Sequence, residues 1–128
     1  MVKKENEFTN GALLALNVMG NKWKPLIICH LLDGPLRTLE LQRRVKGISA
    51  KVMVEQLKQL EADKIITRKV FNEIPPHVEY SLTPDGYSLA KVLGSMSYWG
   101  EQQAQRLNEN GQKIKLEYTD HQKWTDSK

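Results

Sequence analysis

The stretch that decides the fold is residues 47–80, with the sequence GISAKVMVEQLKQLEADKIITRKVFNEIPPHVEY. Ser49 is a residue type that caps helix amino termini, and Met53, Leu57 and Leu60 follow it at the i, i+4 and i+7 spacing of one helix face. This pattern predicts an amphipathic helix that begins after a serine cap and buries its apolar face.

The opposite face of that helix, which is predicted over residues 49–63, is polar. A step of about 100° per residue places the following residues away from the apolar face: Lys51, Glu55, Lys58 and Ala62, with Ala50 and Val54 on a flank. Two lysines on an exposed helix face favour contact with an anionic surface.

A β-hairpin is predicted directly after this helix. Residues 65–71 are rich in β-branched side chains, residues 78–82 form a second such run, and Pro75 and Pro76 stiffen the turn between them. A helix followed by a basic hairpin is the order of a recognition helix and a β-wing. The sequence therefore predicts a DNA-binding unit with its wing at about residues 65–82.

Further helices are expected on both sides of this unit. They are predicted over residues 10–18, over residues 23–32, from a cap at Thr38 to Gly47, and from a cap at Thr83 to about Leu107. The predicted fold class is mainly α with a small β-wing (α+β), a winged helix-turn-helix with a terminal dimerisation helix. Residues 1–9 are expected to be a flexible N-terminal arm, 10–110 the winged helix-turn-helix domain with its dimerisation helices, and 111–128 a polar tail, disordered or frayed.

Length and composition exclude several classes of protein. The 128 residues suit one domain, and the charged start and the lack of an apolar run of about 18 residues predict a cytoplasmic protein without membrane contact. The single Cys29 excludes an intrachain disulfide, and no metal or cofactor is expected. Because the sequence contains no phosphate-binding glycine loop and no His-Glu-x-x-His motif, an enzyme is not expected.

Basic residues are concentrated in one part of the chain. Residues 22–69 hold eleven Lys or Arg against five Asp or Glu, although the whole chain has a net charge of only +4. Such a block fits an anionic partner, here double-stranded DNA. For the charge taken alone, an ordinary solvated surface is the alternative.

The predicted DNA contacts are of two kinds. Phosphates are expected to meet the basic residues Arg43, Arg44, Lys51, Lys58, Arg68 and Lys69. Base edges are expected to meet residues near the start of the recognition helix, namely Ser49, Ala50, Lys51, Val54 and Glu55. Glu55 is equally suited to pairing with Lys51 or Lys58 along the helix. The wing tip, including Pro76 and His77, either enters a minor groove or only stiffens the hairpin.

Several segments together resemble the HxlR-type winged-helix regulators of bacteria. They are GNKWK at 20–24, LLDGPLR at 31–37, GIS at 47–49, LKQLEAD at 57–63, PPHVEYSLT at 75–83 and YWG at 98–100. The resemblance implies a homodimeric transcriptional regulator, related in architecture to the MarR group, that acts on a pseudo-palindromic operator. It also implies a dimer interface between the first and last helices, with Leu13, Leu14, Leu93, Met96, Trp99 and Leu107.

One departure from that family concerns cysteine. Many members carry a cysteine just ahead of the first helix, which some use to sense oxidants or electrophiles, but residues 8–12 here read FTNGA. A thiol switch at that site is therefore excluded. Cys29 lies in an apolar helical segment, where burial as a small hydrophobe is expected and a sensing role is the alternative.

Two functional alternatives are compatible with the sequence. A winged helix also serves in some proteins as a protein–protein interaction module without sequence-specific DNA binding, and this is the main alternative; double-stranded RNA is a more distant partner. A small-molecule effector between the winged core and the dimer helices is compatible with the architecture. No residue constellation specifies such a ligand.

Overall fold

The fold combines six helices with a three-stranded sheet in the part of the chain that the structure describes. The structure is a computed structural model that describes residues 6–119 and 121–125; residues 1–5 of the predicted arm, residue 120 and residues 126–128 lie outside it. The elements are α1 (Gly11–Met19), α2 (Trp23–Leu31), β1 (Leu36–Arg37), α3 (Thr38–Arg44), α4 (Ala50–Ala62), β2 (Ile66–Phe71), β3 (His77–Leu82), α5 (Pro84–Glu109) and α6 (His121–Thr125). The predicted mainly α fold with a small β-wing is confirmed.

The hydrophobic core is built around α2 and α4. On α4, Met53, Leu57 and Leu60 are at most 1% exposed, so the face predicted from their spacing is the buried one. On α2, Ile27 and Ile28 are fully buried in the same cluster. Burial of side chains of this size stabilises a fold by about 1.5–3 kcal/mol each. The buried faces of α2 and α4 therefore hold the exposed face of α4 in a fixed position.

The turn between α3 and α4 gives the helix-turn-helix its shape. Gly47 has a φ of +88°, a left-handed conformation that glycine adopts without steric cost. Across this turn, the Gln42 side-chain amide donates to the Ile48 carbonyl oxygen. The Ser49 hydroxyl accepts from the Val52 N–H at 3.1 Å, which confirms the predicted cap. The end of α3 and the start of α4 are therefore fixed relative to each other.

The sheet has the strand order β1-β3-β2, and both pairings are antiparallel. β2 and β3 form the predicted wing, in which Arg68 pairs with Tyr80 and Lys69 with Glu79. The base of the wing is buried at Leu82, whereas most of β2 is exposed. Burial at one end only leaves the other end of the hairpin projecting from the domain.

One local prediction around α3 is wrong, and one short strand beside it was not predicted. Thr38 is the first helical residue rather than the cap, and the cap is Arg37, whose N–H donates to the Glu40 carboxylate at 2.8 Å. The chain just before α3 also forms β1, which pairs Leu36 with Tyr80. Two residues are too few to show an alternating pattern, so a strand this short becomes visible only through its pairing with β3.

The long helix α5 begins at the predicted cap. The Thr83 hydroxyl accepts from the Gly86 N–H at 2.9 Å, and Pro84 is the first helical residue, where its missing N–H costs nothing. Gly86 lies so close to the Ile65 carbonyl oxygen that a Cβ atom there would collide with it. The first turn of α5 is thereby held against the base of the wing. The helix continues to Glu109, two residues beyond the predicted end.

The tail that was expected to be disordered or frayed contains a short helix. Residues 112–119 form no helix or strand, but α6 follows and places Trp124 in the core at 7% exposure. His121 Nδ1 lies 2.8 Å from Glu101 Oε1, and Lys123 Nζ lies 3.5 Å from Asp33 Oδ2. The polar composition conceals this docking, because it depends on one large aromatic side chain rather than on a repeated pattern.

Candidate nucleic-acid interface

The first two turns of α4 present an exposed surface. All five residues predicted to contact bases are exposed: Ser49, Ala50, Lys51, Val54 and Glu55. Val54 is notable because a β-branched apolar side chain is 43% exposed on an otherwise polar face. Among the described residues, no ion pair joins Glu55 to Lys51 or Lys58. The carboxylate and ammonium groups of this face therefore keep their hydrogen-bonding capacity for a partner.

The basic residues predicted to meet phosphates come from three elements. All six are exposed: Arg43 and Arg44 on α3, Lys51 and Lys58 on α4, and Arg68 and Lys69 on β2. None forms an ion pair with a carboxylate within the described ranges 6–119 and 121–125. α4 packs directly against β2, the first strand of the wing.

A buried glutamine connects α4 to the turn between α1 and α2. This contact was not predicted from the sequence. Gln56 is 6% exposed, and its Oε1 atom accepts from the Asn21 side-chain amide at 3.1 Å. The Asn21 side-chain Oδ1 atom in turn accepts from the Trp23 N–H at 2.9 Å. This chain of hydrogen bonds connects the α1–α2 turn to the middle of α4. The available signal was the position of Gln56, three residues after Met53 on the predicted apolar face.

The wing tip combines an exposed proline with a largely buried histidine. Pro76 is exposed, whereas the His77 side chain is only 13% exposed. The imidazole ring stacks on Phe71, with 4.5 Å between ring centroids and 12° between ring planes. Its Nδ1 and Nε2 atoms each lie 3.2 Å from a carboxylate oxygen, the first of Glu73 and the second of Glu79. His77 therefore contacts β2 through Phe71, the turn through Glu73 and β3 through Glu79.

Exposed apolar side chains also lie on α1 and on α5. On α5, Val92, Met96 and Trp99 are 47%, 50% and 62% exposed and follow the i, i+4, i+7 spacing of one helix face. On α1, Leu13 and Leu14 are 44% and 47% exposed. We call these five residues the α1–α5 surface. Exposed apolar side chains in such groups mark sites where another chain binds.

The predicted dimer residues divide between this surface and the core. Leu13, Leu14, Met96 and Trp99 belong to the α1–α5 surface, whereas Leu93 is 4% exposed within the core and Leu107 is half-buried. Val92 and Leu16 were not among the predicted dimer residues, although they are exposed to a similar extent, at 47% and 55%.

The interior of α2 holds the single cysteine and a shielded histidine. Cys29 is buried, as predicted. Burial lowers the pKa of the neighbouring His30 below its ordinary value of 6.5; Lys123 and Arg44 lower it further, and Asp33 raises it. Over residues 6–119 and 121–125, no group of three or more His, Cys, Asp or Glu side chains is placed to hold a metal ion. Within the same ranges, each helix is too short or too polar to span a bilayer.

Comparison with known proteins finds relatives over most of the chain. The model of the HxlR-like helix-turn-helix family matches residues 18–124. The HTH-type transcriptional regulator YtcD of Bacillus subtilis strain 168 is 45% identical over 92 residues, which are 72% of this chain and 73% of YtcD.

Solved structures show the same architecture. The crystal structure of a transcriptional regulator of the MarR family from Enterococcus faecalis V583 has a TM-score of 0.71 at 38% identity, over 82% of this chain and 99% of that one. The redox regulator HypR in its reduced form also has a TM-score of 0.71 at 38% identity, over 77% of this chain and 97% of HypR. With the family match, these similarities establish that the chain belongs to the HxlR-like helix-turn-helix family of transcriptional regulators.

Proposed function

We propose that this protein regulates transcription as a homodimer that binds a pseudo-palindromic operator in double-stranded DNA. The observation that carries the proposal is the exposed, serine-capped start of α4 beside a wing with two exposed basic residues. In a winged helix-turn-helix, the second helix lies in the major groove with its amino-terminal residues at the base edges. Membership of a family of transcriptional regulators supports the same function.

In this arrangement, α4 reads bases through side chains of three chemical types. Val54 offers an apolar surface to a thymine methyl group, Lys51 donates to guanine, and the Glu55 carboxylate accepts from a cytosine amine. Ser49 and Ala50 are small, which allows the end of the helix to approach the bases closely. A good contact to a base edge discriminates against the wrong base by about 1–3 kcal/mol.

Phosphate contacts would supply most of the affinity. The candidates are Arg43 and Arg44 on α3, Lys58 on α4, and Arg68 and Lys69 on β2, all of which are exposed. Each neutralised phosphate releases condensed counterions, so the logarithm of the affinity falls with the logarithm of the salt concentration by about 0.9 per contact. A dimer doubles the number of contacts and steepens this dependence accordingly.

The α1–α5 surface is the proposed dimer interface. Its exposed apolar side chains lie on helices that contribute none of the proposed DNA contacts, so dimerisation through them leaves α4 and the wing accessible. A twofold axis through this interface would place the two copies of α4 in successive major grooves, about 34 Å apart. We place the protein in the cytoplasm, because that compartment holds the chromosome of a prokaryotic cell.

Selection of duplexes from a random-sequence library tests the proposal, followed by fluorescence anisotropy against a scrambled duplex over a salt series. We expect a twofold-symmetric sequence to be enriched and bound selectively by a dimer, with affinity that falls steeply as salt increases. Sedimentation velocity at micromolar concentration reports the oligomeric state in the same buffers. Failure to enrich any sequence, with equal and weak binding to both duplexes, would favour the protein-interaction module.

A further inference from the structure

His77 lies between two carboxylates near the tip of the wing. Its Nδ1 atom lies 3.2 Å from Oε1 of Glu73, in the turn, and its Nε2 atom lies 3.2 Å from Oε2 of Glu79, on β3. The ring also stacks on Phe71, its partner in the β2–β3 register. Contacts from β2, from the turn and from β3 therefore meet on one imidazole ring.

This geometry is satisfied in only one protonation state. Ionised carboxylate oxygens accept hydrogen bonds and do not donate them, so each ring nitrogen of His77 needs a proton to interact favourably. A neutral imidazole has a single N–H, and its other nitrogen would direct a lone pair at a carboxylate oxygen. Only the imidazolium form of His77 can donate a hydrogen bond to Glu73 and to Glu79 at the same time.

Among the described residues, the His77 ring is the only ion-pair partner of either carboxylate. Lys69 and Arg37 lie opposite Glu79 in the strand register, one on each neighbouring strand, but neither forms an ion pair with it. The two carboxylates lie at opposite nitrogens of the ring and do not converge on one point, so a shared metal ion does not explain them.

We propose that protonation of His77 strengthens DNA binding, so that affinity falls as the pH rises through the range in which histidine loses its proton. The inference rests on the proposed function, in which the wing lies beside the DNA backbone. Loss of the proton removes the positive charge of the ring and releases one carboxylate, so the net charge of the wing tip becomes more negative by one, next to phosphates. A unit charge at about 4 Å in water changes the affinity by about fivefold.

Operator affinity measured from about pH 5.5 to about pH 8.5 at constant ionic strength tests the inference. Wild-type affinity is expected to fall about fivefold over this range. His77→Gln removes the titration and should bind at the high-pH level throughout, while His77→Arg keeps a permanent charge and should bind near the low-pH level throughout. His121→Gln is the matched control: it removes a histidine on α6 and should keep the wild-type pH dependence.

Four outcomes test the inference and distinguish its failure from that of the proposed function. Binding that is independent of pH, or a pH dependence that persists in His77→Gln, would overturn the inference and leave the proposed function standing. Binding to no duplex at any pH would defeat both. In the DNA-free protein, 15N chemical shifts should show the His77 ring with two protons at low pH and one at high pH; a ring that stays neutral throughout this range would also overturn the inference.

Discussion

Thr83 contacts the same oxygen of Ile65 with its backbone and with its side chain. The Thr83 N–H donates to the Ile65 carbonyl oxygen at 3.0 Å, and the Thr83 hydroxyl lies 3.0 Å from that oxygen and 2.7 Å from the Lys64 carbonyl oxygen. The hydroxyl oxygen also accepts from the Gly86 N–H in the first turn of α5. One threonine thus joins both ends of the wing to the helix that carries the α1–α5 surface. In the proposed dimer, this joint sets the orientation of each wing relative to the twofold axis.

Removing the Thr83 hydroxyl should weaken this joint. Thr83→Val keeps the shape of the side chain but deletes the N-cap acceptor of α5 and the donor to the β2 side of the wing. We expect the free energy of unfolding to fall by about 1–2 kcal/mol. Urea denaturation followed by circular dichroism measures this change. Thr83→Ser keeps the hydroxyl and should lose less; equal losses in both variants would contradict the assignment of the joint to the hydroxyl.

Stability should depend on pH through His30. Burial, with Lys123 and Arg44, lowers the pKa of His30 in the folded protein below 6.5, so the unfolded chain takes up this proton first as the pH falls. The stabilising contribution is therefore fully present above about pH 6.5 and is lost as the pH falls through the lowered pKa. His30→Asn should remove this part of the slope in urea denaturation measured at several pH values. An unchanged slope would contradict the assignment to His30.

A charge placed on the α1–α5 surface should separate the dimer. Trp99 is 62% exposed on α5, and burial of an ammonium group in an apolar interface is costly, so Trp99→Lys is expected to yield a folded monomer with at least tenfold weaker operator binding. Sedimentation velocity and anisotropy measure the two effects. Tyr118→Lys is the control, because it places the same charge at another exposed aromatic residue, in the tail, which is 67% exposed. It should leave the dimer and operator binding unchanged. A dimer that survives in Trp99→Lys would move the interface to another surface.

A lysine on the recognition helix should matter more than one in the tail. Lys51→Ala is expected to weaken binding to the selected duplex and to reduce the discrimination against the scrambled duplex, because the base contact is lost. Lys115→Ala removes the same charge from an exposed position in the segment before α6. It should leave both quantities unchanged. Equal losses in the two variants would indicate a response to net charge rather than to the position of α4 on DNA.

The recognition helix and the wing could be predicted because each depends on a local pattern. The spacing of Met53, Leu57 and Leu60 determines which face of α4 is buried, and the Ser49 cap lies one residue before its start. The β-branched run from residue 65 and the Pro75-Pro76 turn determine the hairpin in the same way. Such patterns are complete within a few residues and need no knowledge of distant contacts.

The features that could not be predicted depend on residues far apart in sequence. β1 exists because Leu36 pairs with Tyr80, and α6 is placed by the burial of Trp124 in a core built by other helices. The sequence left open whether the wing tip with His77 enters a minor groove or only stiffens the hairpin, because only the position of His77 in the turn is visible there. Its stacking on Phe71 requires the register of the two strands, which a sequence pattern does not specify at the tip.

Hydroxyl-radical footprinting of the wild-type protein on its selected operator tests the central claim most directly. A dimer that inserts two copies of α4 should protect two equivalent regions on one face of the duplex, with centres about 10 base pairs apart and related by twofold symmetry. The same pattern should be absent on a scrambled duplex. A single protected region bound by one chain, or a dimer that protects no region, would contradict the account.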